Sequence, residues 1–407
     1  MLKKLMNFGK DELVRGGIIL FVMIGIFNFL NYLFHFAMAR MLEPAEYGIL
    51  VVLISISYIF AVPSEAVQTI FSKYTSKHIK DSGKVKDLLL RGMKKALQAS
   101  VLIYLVFIPV AIFLSFFLNI ELILVLLTGV FIFGSFVTPV IRGILQGEKK
   151  FLKLGVSLDL ESLAKVLLAV LFVYLIKNVY SAILAVIASL LIGFIITLCF
   201  VRDILKIRKG KAKLEGIYAY SGNTFFIFLV IILVLGIDVI LAKRFFAPEL
   251  AGQYAVASLL GKIIFFGTNG IAKAMFPISS ERNTKEKQGV FIKAALFTAI
   301  ACLVALAAFA LMPSLIVKIL FGSQYVSIAG IIVFTGIAFS LLSFTNLMVY
   351  HKLSHGKIKN PYFMLVFVPL MILILWVFSQ SLLSFSIALC MANLIVLAGS
   401  LFLKSEK

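Results

Sequence analysis

Ionisable side chains are scarce inside the long apolar stretches of this 407-residue chain, and the few found there limit what chemistry it can perform. Lys165 and Lys262 each fall deep within a run long enough to cross a bilayer. A charge at that depth costs roughly 2.5–3.5 kcal/mol on insertion scales and therefore faces protein or a wet cavity. Two such cations can receive an anionic headgroup. For Lys165 there is a competing reading, because Glu161 lies four residues earlier, the helical spacing at which opposite charges neutralise one another. Lys262 has no acidic neighbour on its own helix, so a substrate or cavity role is expected of it. Asp238 can bind a proton or Na⁺, or form a buried pair with a cation from the other half of the chain. His35 occupies the corresponding place 203 residues earlier. Glu65, beside Pro63, offers a second coupling carboxylate, since proline frees backbone carbonyls and lets a cavity-lining helix bend. A kinked helix whose glutamate reaches cytoplasmic water explains it equally well. Asn28, Asn31, Asn223, Asn269 and Asn346 supply amides that bond either sugars or neighbouring helices. No His, Cys or Ser cluster has catalytic or metal-ligand spacing, and the string nearest to a phosphate loop, Gly143–Lys149, lacks its pattern. Neither an enzyme, nor a metal, nor a cofactor is expected, beyond H⁺ or Na⁺ as a coupling ion.

The elements that must position these residues are membrane helices. Hydrophobic residues make up 62% of the chain and charged ones 14%, with a mean hydropathy of +1.10, outside the range of water-soluble domains. The apolar runs suit helices across about 30 Å of hydrocarbon rather than barrel strands. Twelve spans are expected, at 14–40, 47–71, 96–118, 121–141, 154–176, 180–201, 219–242, 252–275, 291–312, 326–350, 361–378 and 382–403. The formal charge of +21 is spread between the runs, which argues against a nucleic-acid partner. Of 39 Lys and Arg, 32 fall in alternate loops and at the two ends. By the positive-inside rule both termini are cytoplasmic, the protein being multi-pass in the cytoplasmic membrane among anionic lipids.

Pro44-Ala45-Glu46-Tyr47-Gly48 follows Ala39-Arg40, and Pro248-Glu249-Leu250-Ala251-Gly252 follows Ala242-Lys243, an offset of 204 residues. Because six spans fall in each half, this spacing predicts two parallel six-helix repeats, residues 1–206 and 207–407, joined by the basic stretch from Arg202 to Gly216.

After the fourth expected span, Arg142-Gly143-Ile144-Leu145-Gln146-Gly147-Glu148-Lys149-Lys150-Phe151 resembles the R-G-x-x-Q-G-x-x-x-F loop of polysaccharide-repeat flippases. These are the Wzx-type branch of the multidrug/oligosaccharidyl-lipid/polysaccharide exporter superfamily. Gly252-Gln253-Tyr254-Ala255-Val256-Ala257, Asp238 and Phe276-Pro277 are similar to that family as well. The resemblance implies an all-α membrane protein of 12 helices, its two bundles forming a V around a central cavity lined by helices one, two, seven and eight. It also implies a lipid-linked oligosaccharide as substrate and a cationic cavity, which Lys262 fits, with Arg15 and Lys273 at the cytoplasmic mouth. The chain departs from the related lipid II flippases in having few arginines deep in its first two spans. The expectation is a flippase carrying a polyprenyl-diphosphate-linked oligosaccharide to the outer leaflet by alternating access, alongside glycosyltransferases or a polymerase of its pathway. A cation-coupled multidrug exporter and a non-transporting scaffold for glycan assembly are the alternatives.

Overall fold

Each apolar run folds as a helix, as lipid requires of a chain that must satisfy its own backbone polar groups. The computed structural model describes residues 12–208, 210, 222–280, 284–356 and 358–405. The first helices are α1 (Glu12–Met41), α2 (Pro44–Ser57), α3 (Ala61–Lys77), α4 (Ser82–Leu118), α5 (Leu122–Gly129), α6 (Phe131–Gly147), α7 (Phe151–Ile176), α8 (Val179–Phe200) and the short α9 (Arg202–Lys206). There follow α10 (Gly222–Phe245), α11 (Pro248–Ser280), α12 (Thr284–Leu311), α13 (Pro313–Leu320), α14 (Ile332–Ser354), α15 (Phe367–Val377) and α16 (Leu382–Leu401). Among the described residues, ten helical stretches are long and apolar enough to cross a membrane, with α2 and α3 forming one crossing and α5 and α6 another. Two further helices, α7 with its internal charges and the shorter apolar stretch Pro361–Val377, occupy the remaining expected positions.

One boundary differs from its expected place because of a cap. The third span, expected from residue 96, belongs to a 37-residue helix that begins at Ser82, where the Asp81 carboxylate accepts the Lys84 amide at 3.0 Å. At 1.5 Å per residue α4 is about 55 Å long, so its first turns project beyond hydrocarbon and carry the basic residues expected of a loop.

The chain forms two compact units, one of Met1–Leu42 and Phe60–Tyr220, the other of Glu43–Ile59 and Ser221–Lys407. This division differs from a cut at residue 206 chiefly in the second span. Its first half, α2, packs on α10 and α11, whereas α3 packs on α6. The change of unit falls at a 3₁₀ turn, Tyr58–Phe60, just before Pro63 in the first turn of α3. Two prolines at equivalent places start α2 and α11, where a missing N–H costs no hydrogen bond. One turn further on, Gly48 and Gly252 bring the two helices into backbone contact. A Cβ on Gly48 would lie 2.8 Å from the Gly252 Cα, and one on Gly252 would overlap the Pro44 carbonyl oxygen.

In the first unit the core gathers Val85, Leu89, Ile141, Ile144, Leu154 and Ile204. There the start of the interdomain linker is fastened to α4: Gly210 N–H donates to the Gly83 carbonyl at 2.9 Å, and the Lys86 ammonium donates to the carbonyls of Leu205 and Ile207 at 2.6 and 2.7 Å. In the second unit Ala272, Met275, Ala294 and Leu347 form a smaller cluster. Large apolar side chains such as Phe116, Tyr174, Leu303 and Val304 point outward, as lipid-facing residues do.

Candidate functional site

Among the described residues, each unit holds a deep lysine on a stripe of residues spaced i, i+4, i+8, so that three side chains stack along one helix face. In the first unit the stripe is Ser157, Glu161 and Lys165 on α7, a helix packed against α1 and α8. The Glu161 carboxylate lines the same cavity as Lys165 but forms its ion pair with Arg142 of α6, Nη2 to Oε2 at 2.7 Å. Arg142 is only 8% exposed. Its other donors reach the Ser157 hydroxyl and carbonyl, both at 3.3 Å, and the charge-assisted fork fixes the guanidinium. A Cβ on Gly193 of α8 would overlap Glu161 Oε2, so the absence of a side chain there leaves the carboxylate its place.

Lys165 donates to Asn31 Oδ1 on α1 and lies 4.9 Å from the Phe34 ring centroid. The Asn31 amide nitrogen is committed to the Phe27 carbonyl at 2.7 Å, which aims the oxygen at the lysine. Around this pair is a cavity of about 90 Å³ lined by Phe27, Asn31, Glu161, Ser162, Lys165 and Ser189, among others. That is room for about three waters or one oxyanion. Lys165 is half-buried and, with Glu161, lines this cavity.

The second unit carries the other stripe, Tyr254, Ser258 and Lys262 on α11, and here the acid is supplied by α10. Lys262 is 2% exposed and Asp238 fully buried. The ammonium meets Asp238 Oδ1 at 3.2 Å, while Ser258 and Tyr254 donate to Oδ2 at 2.5 and 3.3 Å. The Phe339 ring centroid lies 5.4 Å from the ammonium. This corrects the expectation that Lys262 opens to a cavity: its charge is compensated within a packed helix interface. Asp238 does form a buried pair, as one reading of it held, but with a cation of its own half.

Other anticipated residues are scattered. His35 is buried edge-on to Phe34, with centroids 5.3 Å apart. Glu65 and Lys273 are exposed, and Asn28 is half-buried. Asn269 accepts from Asn346 at 2.9 Å and so ties α11 to α14, the structural role for an amide. The side chains of Arg15 and Asn223 lie outside the described residues. In the Arg142–Phe151 motif, Gly143 and Gly147 let α6 approach the backbone of α3: added Cβ atoms would lie 2.6 Å from the Gln68 oxygen and 2.5 Å from the Ser72 oxygen. Gln146 accepts from the Gln68 amide at 3.0 Å across the same contact. Sequence reasoning missed Ser157, Gly193, Ser258 and the Arg142–Glu161 pair. The i, i+4, i+8 stripes were the available signal for the two serines.

The helical architecture of this multi-pass protein is a known membrane fold. The chain superposes on an inward-facing multidrug resistance MATE family transporter of the MOP superfamily with a TM-score of 0.75 at 15% identity, over 94% of this chain and 97% of that one. A MATE structure in complex with MaL6 gives 0.67 at 15% identity, covering 97% and 95%. An outward-facing MATE family transporter of the MOP superfamily gives 0.58 at 14%, covering 97% and 94%. No curated protein matches the sequence. The profile of the family described as "Polysaccharide biosynthesis protein" matches residues 13–283, more than half of the chain. The chain belongs to this family, the Wzx-type group that the Arg142–Phe151 motif resembles.

Proposed function

We propose that the protein is a flippase that moves a polyprenyl-diphosphate-linked oligosaccharide from the cytoplasmic to the outer leaflet of the cytoplasmic membrane by alternating access, with both termini cytoplasmic. Sugars and a diphosphate cannot cross hydrocarbon unaided, because each unpaired polar group costs several kcal/mol and a bare charge more. A polar path through protein removes that cost, while the polyprenyl tail stays in lipid. The observation that carries this reading is Lys165: a half-buried cation beside a small cavity, bound to Asn31 while its helical neighbour Glu161 is paired with Arg142, in a member of a polysaccharide biosynthesis family. Its role is to receive an oxyanion of the head, with Asn31, Ser162 and Ser189 beside it.

Asp238 is a poor ion-coupling carboxylate in this geometry, since Lys262 and two hydroxyls already satisfy it. An H⁺ or Na⁺ gradient, or the substrate gradient itself, drives the cycle, and the glycosyltransferases or polymerase of the pathway are the expected partners. The likeness to MATE transporters favours one second reading, a cation-coupled multidrug exporter. The two separate in one experiment. Proteoliposomes with a fluorescent polyprenyl-diphosphate disaccharide should show outward movement that Lys165→Gln lowers about tenfold, the effect of about 1.4 kcal/mol. Unchanged flipping by that variant would remove Lys165 from the path. Resistance of overexpressing cells to cationic dyes, with no flipping, would favour the exporter.

A further inference from the structure

We infer that Arg142 sets the charge of the Lys165 cavity by taking the ion pair that Glu161 would otherwise make with the lysine. The inference rests on the reading of Lys165 as the group that receives the anion. Local chemistry favours the opposite arrangement, because Glu161 and Lys165 stand one turn apart on one face of α7 and neutralise one another if left alone. Three features from three helices prevent it. Arg142 of α6 takes the carboxylate at 2.7 Å. Ser157 of α7 accepts the other guanidinium hydrogen bonds and keeps that cation in place. Gly193 of α8 leaves the carboxylate room that any larger residue would fill.

Two cations share one carboxylate, so the cluster carries a net positive charge, and the geometry places it at Lys165. Were Glu161 to rotate onto Lys165, the cavity would become neutral and Arg142 would be left buried without its counter-ion, a costly exchange. Arg142 is therefore a positioning residue acting through Glu161. The arginine of the loop motif thus gains a task distinct from that of Gly143, Gly147 and Gln146, which fit α6 to α3.

The test is equilibrium binding of farnesyl diphosphate, as a short-tailed diphosphate probe, to the purified full-length protein in maltoside micelles. Arg142→Gln should weaken binding about tenfold, because the freed carboxylate swings to Lys165. Adding Glu161→Gln to that variant should recover most of the loss, a rescue that a purely structural clamp does not give. Glu161→Gln alone should bind tighter than the unsubstituted protein. Gly193→Ala keeps every charge and only displaces Glu161, so it should weaken binding and serves as a second variant where Arg142→Gln is poorly folded. A double variant no tighter than Arg142→Gln, a weakened Glu161→Gln, or an unaltered Gly193→Ala overturns the role of Arg142. Unaltered binding by Lys165→Gln overturns the underlying reading instead, and the two failures are thereby told apart.

Discussion

The deep lysines of the two units occupy like positions on like stripes, yet they end in opposite environments. In the second unit the stripe offers two hydroxyls, and α10 supplies Asp238, so acid, cation and donors close into a compensated cluster. In the first unit the stripe contains its own acid, and a cation from a third helix takes it. Lys165 is thereby left without an ion pair of its own beside a small cavity that Glu161 also lines. On the proposed reading, whether a buried cation is a structural tie or a receiving group depends less on its depth than on how many cations compete for the nearest carboxylate.

The largest expected effect tests the closed cluster. Asp238→Ala leaves Lys262 buried without its partner and should destabilise the protein by about 3–5 kcal/mol, whereas Asp238→Leu with Lys262→Met should restore most of that stability. Thermal melts in detergent would read both. If the double variant is no more stable than Asp238→Ala, the cluster has a role beyond mutual compensation.

Next in size are the glycines, which contrast the same two regions. At Gly252 a methyl group meets the rigid carbonyl of Pro44, so Gly252→Ala should cost about 1–3 kcal/mol as overpacking. At Gly193 the obstacle is the flexible end of Glu161, so Gly193→Ala should melt nearly as the unsubstituted protein does. Equal melting losses at the two positions would erase the contrast.

Lys165→Gln should reverse the pattern of Asp238→Ala, with a melting temperature nearly unchanged and flipping reduced about tenfold. A large stability loss with flipping intact would make Lys165 the structural tie.

The smallest effect belongs to an acid–lysine pair outside the membrane. Hydrogen bonds from the Lys84 amide, and then from its side chain, hold the Asp81 carboxyl below its usual range. Because the folded-state value is the lower one, the pair's contribution is present above the unfolded value and is lost as pH falls through the folded one. Asp81→Asn keeps the helix cap and should be hard to distinguish in a melt at neutral pH. The advantage of the native Asp81 carboxylate over Asp81→Ala should fade below the ordinary aspartate value of about 4, whereas that of Asp81→Asn should not.

Helices, their order and the proline starts of α2 and α11 were legible in the sequence, because apolar run length and proline position act locally. The family was legible in the spacing of Arg142, Gly143, Gln146 and Gly147. Charge pairing was not. A rule of helical neighbours joins Lys165 to Glu161 and leaves Lys262 alone, whereas in the fold Glu161 pairs with Arg142, 19 residues away, and Lys262 with Asp238, 24 residues away. Such partners are chosen by the packing of helix on helix, which residue spacing along one chain does not encode. The 3₁₀ turn at Tyr58–Phe60 had a local trace in Pro63, but the division of the second span between two units had none.

The meeting of Gly48 with Gly252 joins two copies of one short motif at the same residue of each. The two copies do not meet as mirror images of one role, however: a Cβ on Gly48 would meet Gly252, while one on Gly252 would meet Pro44. A repeated motif has thus been fitted to two different neighbours, so a change at one glycine cannot be compensated by the same change at the other.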